Sequence, residues 1–461
     1  MVDLEGIANH LLDANYPDAR IIDQLKELYA IFKPKLDAAL IAKLSSSILD
    51  EVKKSRVVAS EGIIKDLLWM DNANLTIGEQ GVGCRGMGDF IAHEFITKLA
   101  SSSHVAYLAP QSMDDAGAVI VGPGDGKRFI VTKMEGMHSR LSNYPFIAGF
   151  HVTRACIRDL LVKGARPVSI LVDIHLGDDC DISKLFDFMA GVTCVAELVA
   201  VPITAGSTLR IGGDMVIGDR ITGGVAGVGI CDKILARKDI ALDCDILMTE
   251  GAGGGTIATT AIYNSQPDAI VHTLNIKFVK AMNALLDRQD LLEGVYCCSD
   301  VTNGGLRGDL FEILRDSGLG ADVHEAEVRS LVNKDVLALL DGTCTDYLGV
   351  SLDALLVFCK PEYTGKILAL MEQNHITIKK IGQCNAEPGI YLHLAGNEKV
   401  EMAPRFRESA YTPVKKVIGE KTDLASQDRM HALVQRAYHS AMDKKHRVIS
   451  WIIEKRDHVK G

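Results

Sequence analysis

The stretch Asp300-Val301-Thr302-Asn303-Gly304-Gly305-Leu306 joins oxygen-bearing side chains to an adjacent glycine pair. Glycine adopts positive φ without steric penalty, so this pair lets the backbone approach a ligand closely. We predict that a helix begins near Leu306, with its first N–H groups free to bind an anion. The side chains of Asp300 and Thr302 are suited to hold a cation beside that anion. Because Asn-Gly-Gly is also common in turns, the stretch alone leaves a nucleotide site and a plain turn open.

Three further loops carry groups that bind metal ions or phosphates. Asp114-Asp115-Ala116 precedes a β-rich run at 118–121, and adjacent carboxylates at the start of a strand can hold Mg²⁺. Ala205-Gly206-Ser207-Thr208-Leu209-Arg210 follows an apolar run, and the guanidinium of its last residue can pair with phosphate. Gly164-Ala165-Arg166-Pro167 ends a helix and begins a strand, with Asp159 five residues upstream. Each loop taken alone is also compatible with a solvated turn.

The composition is that of a globular protein with more than one domain. Of the 461 residues 47% are hydrophobic and 24% are charged. The net charge of -10 argues against sequence-independent nucleic-acid binding, which needs cations. No apolar run reaches the roughly 20 residues of a membrane span, and residues 1–5 lack the features of a signal peptide. The 11 cysteines include no Cys-x-x-Cys motif. We therefore expect reduced thiols and a cytoplasmic protein without a membrane or nucleic-acid partner.

Apolar spacing divides the chain into four parts. Residues 1–75 have the periodicity of two or three helices, and residues 401–461 are charged and helical again. Residues 76–238 and 239–400 alternate β-rich runs with helical stretches, which predicts two successive α/β (α+β) lobes. The predicted strands lie at 118–121, 129–132, 167–174, 215–228, 245–249 and 354–359, and the predicted helices at 149–163, 185–199 and 278–291.

The order of these motifs resembles the superfamily of aminoimidazole ribonucleotide (AIR) synthetase, which includes selenophosphate synthetase, thiamin-phosphate kinase and hydrogenase maturation enzymes. The resemblance covers residues 76–400 and is strongest to an archaeal branch associated with methanogens. It implies two lobes, with N-terminal strands that pair across a homodimer, and helical extensions at both ends of this chain. It also implies ATP in a cleft, Mg²⁺ held by aspartates, and transfer of the γ-phosphoryl group to an oxygen.

The resemblance assigns roles to particular residues. Asp114, Asp115 and Asp300 match the metal-binding acids. The expected nucleotide contacts are Asp159, Gly206, Thr208, Arg210, Asn303, Gly304 and Gly305.

Two departures from the family pattern alter the expected acid set. The family usually has Asp at the position of Ser207, and Thr-x-Asp where this chain has Thr132-Lys133-Met134-Glu135. We therefore expect Glu135 to serve as a metal ligand or catalytic group. His138 follows as a base or substrate contact, with a purely structural histidine as the alternative.

The glycine loop at 81–88 matches a mobile family loop that covers the phosphates, so Gly83, Arg85 and Gly86 are predicted nucleotide contacts. Cys84 lies where selenophosphate synthetase carries a reactive residue, but Arg follows it instead of Lys, so both a nucleophilic and an inert thiol stay open. The chain ends Lys460-Gly461 instead of in cysteine, which disfavours the carbamoyl chemistry of the hydrogenase maturation enzyme.

The sequence thus predicts an ATP- and Mg²⁺-dependent homodimeric enzyme that transfers phosphate to a small-molecule or protein oxygen. One alternative is an accessory factor that binds nucleotide during metalloenzyme maturation. Another is selenium or sulfur transfer through Cys84.

Overall fold

A computed structural model describes residues 1–56, 61–101, 106–122, 127–302, 304–408 and 410–459. The segment before residue 101 is mostly helical. Its elements are β1 (Val2–Asp3), α1 (Leu4–Asp13), α2 (Asp18–Phe32), α3 (Ala38–Ser55), α4 (Gly62–Leu68), α5 (Ile77–Gln80) and α6 (Met87–Ala100).

Helices α1 to α3 form a small unit with its own apolar core. Ile21, Leu25 and Tyr29 recur on one face of α2 at helical spacing and are buried. Asp37 begins α3 as a cap, since its carboxylate accepts a hydrogen bond from the Leu40 N–H at 2.9 Å. Two or three helices were expected in residues 1–75, and the described residues of that segment contain four, α1 to α4.

A five-stranded mixed sheet forms the first lobe, in the order β2-β3-β7-β4-β5. Its region contains β2 (Gly117–Val121), β3 (Arg128–Gly136), α7 (Pro145–Val162), β4 (Arg166–Leu176), α8 (Ile182–Leu198), β5 (Ile203–Arg210), β6 (Val216–Ile217) and β7 (Ile221–Cys231). Only β4 and β5 run parallel, and β6 pairs with β1 instead of joining this sheet.

The segment 205–210, predicted as a loop, is a strand. It forms most of β5, with Gly206 opposite Val172 and Thr208 opposite Ile174 of β4. Its small residues resemble loop sequence, yet an edge strand that is exposed along most of its length needs few large apolar side chains. The loop prediction is therefore wrong, and the reason is pairing with a distant strand that local composition does not show.

A seven-stranded sheet forms the second lobe, in the order β14-β13-β10-β12-β8-β11-β9. Its region contains β8 (Asp245–Thr249), α9 (Gly255–Tyr263), α10 (Ile270–Thr273), α11 (Lys277–Leu286), α12 (Gln289–Leu292), β9 (Val295–Asp300), α13 (Gly305–Leu314), β10 (Gly320–His324), α14 (Glu325–Leu331), α15 (Lys334–Gly342), β11 (Leu355–Cys359), α16 (Pro361–Gln373), β12 (Ile378–Asn385), β13 (Gly389–His393) and β14 (Lys399–Glu401). The helix predicted at 278–291 is interrupted, since α11 ends at Leu286 and α12 begins at Gln289.

Helix α7 lies between the two lobes and packs against both. It packs on β3 and β7 of the first sheet and on β9, α9 and α11 of the second lobe, so nearly all of its residues are buried. Helix α8 approaches it closely at Gly149, where a Cβ would lie 2.2 Å from the Phe188 carbonyl oxygen. Charged residues on α7 are therefore held inside the molecule, between the lobes.

The chain ends in α17 (Pro413–Ile418) and α18 (Leu424–Val459). Tyr438 of α18 packs on Phe95 of α6, with ring centroids 5.3 Å apart, and Arg447 pairs with Asp66 of α4 at 2.7 Å. Across the described ranges, no helix is long and apolar enough to cross a bilayer. The predicted α/β (α+β) fold class is confirmed, while the pairing of strands across a dimer stays a prediction.

Candidate functional site

A cavity of about 740 Å³ lies between the two lobes, beside α7. Its wall includes residues of β3, α7, the start of α9 and the glycine loop at 81–88. It also includes residues of the chain after β14, at 402–408 and 410–418, which we call the C-terminal segment. It brings together seven of the residues predicted from sequence, namely Gly83, Arg85, Asp114, Asp115, Glu135, His138 and Asp159.

The acidic pair Asp114-Asp115 is neutralised by two buried cations. Lys163 Nζ, at the end of α7, lies 2.5 Å from Asp114 Oδ1 and 3.0 Å from Asp115 Oδ2. Arg237 also pairs with Asp115, and Ser299 Oγ donates to Asp115 Oδ2 at 3.0 Å. Burial opposes ionisation of Asp115, but Arg237 and Lys163 together hold its pKa below its usual range.

Glu135 and Asp159 share one cation. Lys133 Nζ on β3 lies 2.9 Å from Glu135 Oε1 and 2.7 Å from Asp159 Oδ2. Burial disfavours the charged amine, yet these two carboxylates raise the pKa of Lys133 above its usual value. Lys133 is therefore a permanent cation in the cavity wall.

Asp300 ends β9 and meets the middle of α7. It pairs with Arg158 Nε, and Arg158 also reaches Asp353 at 2.6 Å. Burial and the neighbouring carboxylates of Asp159, Asp115 and Asp309 outweigh the Arg158 charge and raise the pKa of Asp300. Asp300 does not line the cavity itself but contacts Arg158, which does.

These contacts form two sets of ion pairs, which we together call the paired network. One set joins the cations Lys133, Arg154 and Arg158 to the acids Glu135, Asp159, Asp300 and Asp353, and the other joins Lys163 and Arg237 to Asp114 and Asp115. Each predicted metal ligand has a lysine or arginine partner in it. Within the described ranges, no three His, Cys, Asp or Glu side chains converge closely enough to hold a metal ion. As arranged, the residues do not fit Mg²⁺, and the metal-ligand roles stay predictions.

The glycine loop is tied to Asp89 and to the C-terminal segment. Asp89 accepts hydrogen bonds from the Gly83 N–H at 2.8 Å and the Arg85 N–H at 3.0 Å, and the Arg85 guanidinium pairs with Glu312 at 2.8 Å. Gly86 lies outside the cavity wall, and a Cβ there would come within 2.5 Å of the Arg405 carbonyl oxygen. Its glycine is explained by this close packing.

The predicted nucleophile Cys84 is half-buried beside the C-terminal segment and does not line the cavity. Its carbonyl oxygen accepts a hydrogen bond from the Glu408 N–H at 3.1 Å.

The turn after β9 packs against the glycine loop. Gly304 has φ +111°, and a Cβ there would lie 2.9 Å from the Arg85 carbonyl oxygen. Gly305 likewise meets the Leu348 carbonyl oxygen, and neither glycine lines the cavity. Thr302 does line it, and Asp309 accepts from its N–H at 2.7 Å. The predicted contact Asn303 lies outside the described residues.

The predicted contacts Gly206, Thr208 and Arg210 all lie on β5 at the edge of the first sheet and outside the cavity wall. Arg210 pairs with Asp178 at 2.7 Å and Asp214 at 2.6 Å. The structure does not bring these three residues to the other predicted contacts.

His138 meets a residue of the C-terminal segment. Its Nε2 shares a 2.7 Å hydrogen bond with the Tyr411 hydroxyl, and its Nδ1 lies 3.3 Å from Thr259 Oγ1. Burial, with the positive charges of Lys415 and Arg140, lowers the pKa of His138 to about 4. The imidazole is therefore neutral at pH 7.

Two family models match the chain in order. The model of the AIR synthase related protein, N-terminal domain, matches residues 113–231, and that of the C-terminal domain matches residues 244–395. The chain belongs to the AIR synthase related family. An uncharacterized protein of the archaeon Methanocaldococcus jannaschii is 41% identical, with 99% of each chain covered.

Solved structures share the fold of this AIR synthase related protein. Hydrogenase maturation protein HypE in complex with ATP superposes with a TM-score of 0.51 at 16% identity, covering 62% of this chain and 85% of HypE. AaThiL complexed with AMPPCP and TMP gives a TM-score of 0.51 at 15% identity, covering 68% of this chain and 96% of AaThiL.

Sequence reasoning missed most of the cations in this family member. Arg154, Arg158 and Lys163 lie within an otherwise apolar helix, which is a detectable signal, since buried charges occur where they are paired or functional. Tyr411 and Lys415 gave no local signal, because they reach the cavity only through folding of the C-terminal segment.

Proposed function

We propose that the protein is an ATP-dependent phosphoryl-transfer enzyme that activates an oxygen atom of a small molecule or a protein group. The observation that carries the proposal is the cavity between the lobes. Its volume of about 740 Å³ is of the size that ligand pockets have. Its wall combines cationic side chains with backbone N–H groups at the start of a helix.

The start of α9 is suited to bind a phosphate group. Gly254, Gly255 and Thr256 line the cavity, and Gly254 supplies no side-chain cap to the first turn. Uncapped N–H groups at a helix N-terminus bind anions. A Cβ on Gly254 would lie 3.2 Å from Arg154 Nη2, and one on Gly255 would lie 3.2 Å from His138 Cβ, so the glycines keep this wall open.

Phosphoryl transfer depends on positioning and on neutralisation of charge. In our proposal, Lys133 and Arg158 in the cavity wall exchange part of their contact with carboxylates for contact with phosphate oxygens. His138 is neutral, and in our proposal it exchanges its Nε2 hydrogen bond with Tyr411 for one with the attacking hydroxyl, which it thereby orients. A pKa of about 4 makes it a weak base, and orientation is therefore its main contribution.

The bound ligands of the structural neighbours support the nucleotide part of the proposal. HypE has been solved with ATP and AaThiL with AMPPCP, and both share this fold. The requirement for Mg²⁺ is a separate prediction, which nucleotide titrations with and without Mg²⁺ will decide.

We propose that two copies pair through the first sheet. Strands β2 and β5 are its edges, and β5 is exposed along most of its length. Val119 and Ile120 of β2 and Leu209 of β5 are large exposed apolar side chains. Open, apolar edges of this kind favour strand pairing with another chain. Light scattering on the purified protein will give the mass, and a monomer at micromolar concentration would contradict the dimer.

Calorimetric titration of AMPPCP into the purified protein tests nucleotide binding. We expect binding by the wild type and a loss of about tenfold in Lys133→Met, because one cation next to the phosphates is removed. Lys184→Met is the matched control, since Lys184 pairs with Asp219 outside the cavity. A wild-type protein that neither binds AMPPCP nor hydrolyses ATP with Mg²⁺ would refute the proposal.

The paired network favours one second candidate, an accessory factor that binds nucleotide without turning it over. Its acids are already neutralised by side chains. This candidate predicts that Asp114→Asn and Asp300→Asn leave function in cells intact, whereas the enzyme predicts its loss. Selenium or sulfur transfer predicts instead that Cys84→Ser abolishes turnover while AMPPCP still binds.

A further inference from the structure

Two cations of the cavity wall lie apart from the paired network. Arg140 follows β3 and stacks over the Tyr263 ring, with its guanidinium carbon 4.5 Å from the ring centroid. Lys415 of α17 lies over the Tyr411 ring, with Nζ 4.4 Å from that centroid. Both line the cavity. We call these two residues the open pair.

The open pair differs from the other cations of the wall because it forms no ion pair with an acid of the described residues. Arg85, Lys133, Arg154, Arg158 and Arg237 each form an ion pair with a carboxylate. In the part of the chain that the structure describes, neither Arg140 nor Lys415 forms one. Arg140 Nε is buried without a hydrogen-bond partner among those residues. A buried donor left unsatisfied is costly, so a ligand that accepts its hydrogen bond is favoured.

The two cations also repel one another and their neighbour His138. Burial lowers the pKa of Lys415, Cys84 opposes this effect, and the charge of Arg140 adds a smaller lowering effect. Burial lowers the pKa of His138 to about 4, and the charges of Lys415 and Arg140 contribute to the same shift. Three basic groups therefore face the same space, and no carboxylate of the described residues forms an ion pair with Arg140 or Lys415. An anion placed between them would relieve this repulsion.

The two residues of the open pair differ in origin, because Arg140 lies within the first family match and Lys415 lies outside both. Lys415 and Tyr411 lie beyond the second family match, which ends at residue 395. HypE has been solved with ATP and AaThiL with AMPPCP, whereas the segment that carries Tyr411 and Lys415 lies outside both matched domains. Such a segment suits recognition of the substrate that is particular to this enzyme.

We propose that Arg140 and Lys415 form an oxyanion subsite that binds a phosphate or carboxylate group of the phosphoryl acceptor, beside His138 and Tyr411. The inference rests on the proposed function, because that function makes the bound molecule a phosphoryl acceptor. The guanidinium fork of Arg140 supplies two directed hydrogen bonds, and Lys415 supplies a point charge. The acceptor is therefore an anionic molecule, and its reacting hydroxyl lies within reach of His138.

Calorimetric titration of inorganic phosphate and of malonate tests the subsite, using the full chain saturated with AMPPCP. We expect one of the two anions to bind the wild type, and the tighter one identifies the group. Lys415→Met and Arg140→Gln should each weaken it about tenfold, while Lys415→Arg should retain it because the charge is kept. Lys416→Met is the matched control. Lys416 lies on the same helix as Lys415, but it donates to the Thr343 carbonyl oxygen and does not line the cavity.

Two results would overturn the subsite. One is anion affinity that is unchanged in both charge-removing variants. The other is a loss of AMPPCP affinity equal to the loss of anion affinity, because the cations would then bind the nucleotide. If the wild type does not bind AMPPCP, the proposed function fails, and titration of the free protein with the same anions still decides whether the subsite exists.

Discussion

The paired network and the open pair consist of the same residue types a short distance apart, yet their surroundings differ. In the paired network, Lys163 is fully buried and touches two carboxylates, and Arg158 touches three. In the open pair, Arg140 and Lys415 rest on aromatic rings and lack an acid within the described residues. The first arrangement holds α7 to the two lobes, and the second leaves charge available for a ligand. The presence of a carboxylate in contact with a cation, more than the residue type of the cation, therefore separates structural cations from binding cations.

Removal of Lys163 should give the largest effect on stability. Lys163→Met leaves Asp114 and Asp115 buried without one of their two shared cations, and we expect the free energy of unfolding to fall by about 3–5 kcal/mol. Urea denaturation followed by circular dichroism measures this. Lys26→Met is the control, because Lys26 forms an exposed pair with Asp23 at 3.1 Å, and such pairs contribute about 0–1 kcal/mol. Equal losses in the two variants would remove the distinction between the network and surface pairs.

The pH dependence of stability reports the positive charge around His138. Its pKa is about 4 in the folded protein and about 6.5 in the unfolded chain. The unfolded chain therefore binds the extra proton between these values, and stability falls as pH falls from about 6.5 toward 4. We expect His138→Gln to remove about 2 kcal/mol of the loss that the wild type shows between pH 7 and 5. Identical losses in both proteins over that window would contradict the assignment, while the difference between them should be constant above pH 7.5.

Titration of the His138 ring isolates the contribution of the open pair. Lys415→Met and Arg140→Gln each remove a positive neighbour, so the pKa of His138 should rise by about 0.5–1 unit per substitution. NMR of protein labelled at histidine carbons measures it, with His138→Gln to assign the signal. Lys416→Met should leave it unchanged. A pKa that moves in none of the variants would mean that burial alone depresses it.

Arg210 should give the smallest effect. It is an exposed residue on an edge strand, and its contacts with Asp178 and Asp214 are of the surface type. We expect Arg210→Gln to leave both the free energy of unfolding and the AMPPCP affinity nearly unchanged, because exposed ion pairs are screened by solvent. A tenfold loss of affinity would restore Arg210 to the nucleotide site where the sequence placed it.

The order of the acidic and glycine motifs was sufficient to predict the family and the fold class. The order of the motifs can be recognised even at low sequence identity, because the chemistry of each loop needs particular residue types. Seven of the predicted residues, including Asp115 and Glu135, line one cavity, because strand ends and helix starts of the two lobes meet there. The prediction for 205–210 was wrong, because its pairing with β4 depends on residues more than 30 positions earlier in the chain.

The sequence by itself determined the helical ends of the chain and the alternation of strands and helices between them, since apolar periodicity and caps act over a few residues. It also determined that acids would gather near glycine-rich turns. The tertiary structure alone decided which charges are neutralised, because a salt bridge such as Lys163 with Asp114 joins residues 49 positions apart. It likewise decided that Tyr411 and Lys415 complete the site, since only packing of the C-terminal segment on the glycine loop brings them to His138. Whether a cation forms an ion pair depends on which residues lie close in three dimensions, and this distinguishes the open pair from the paired network.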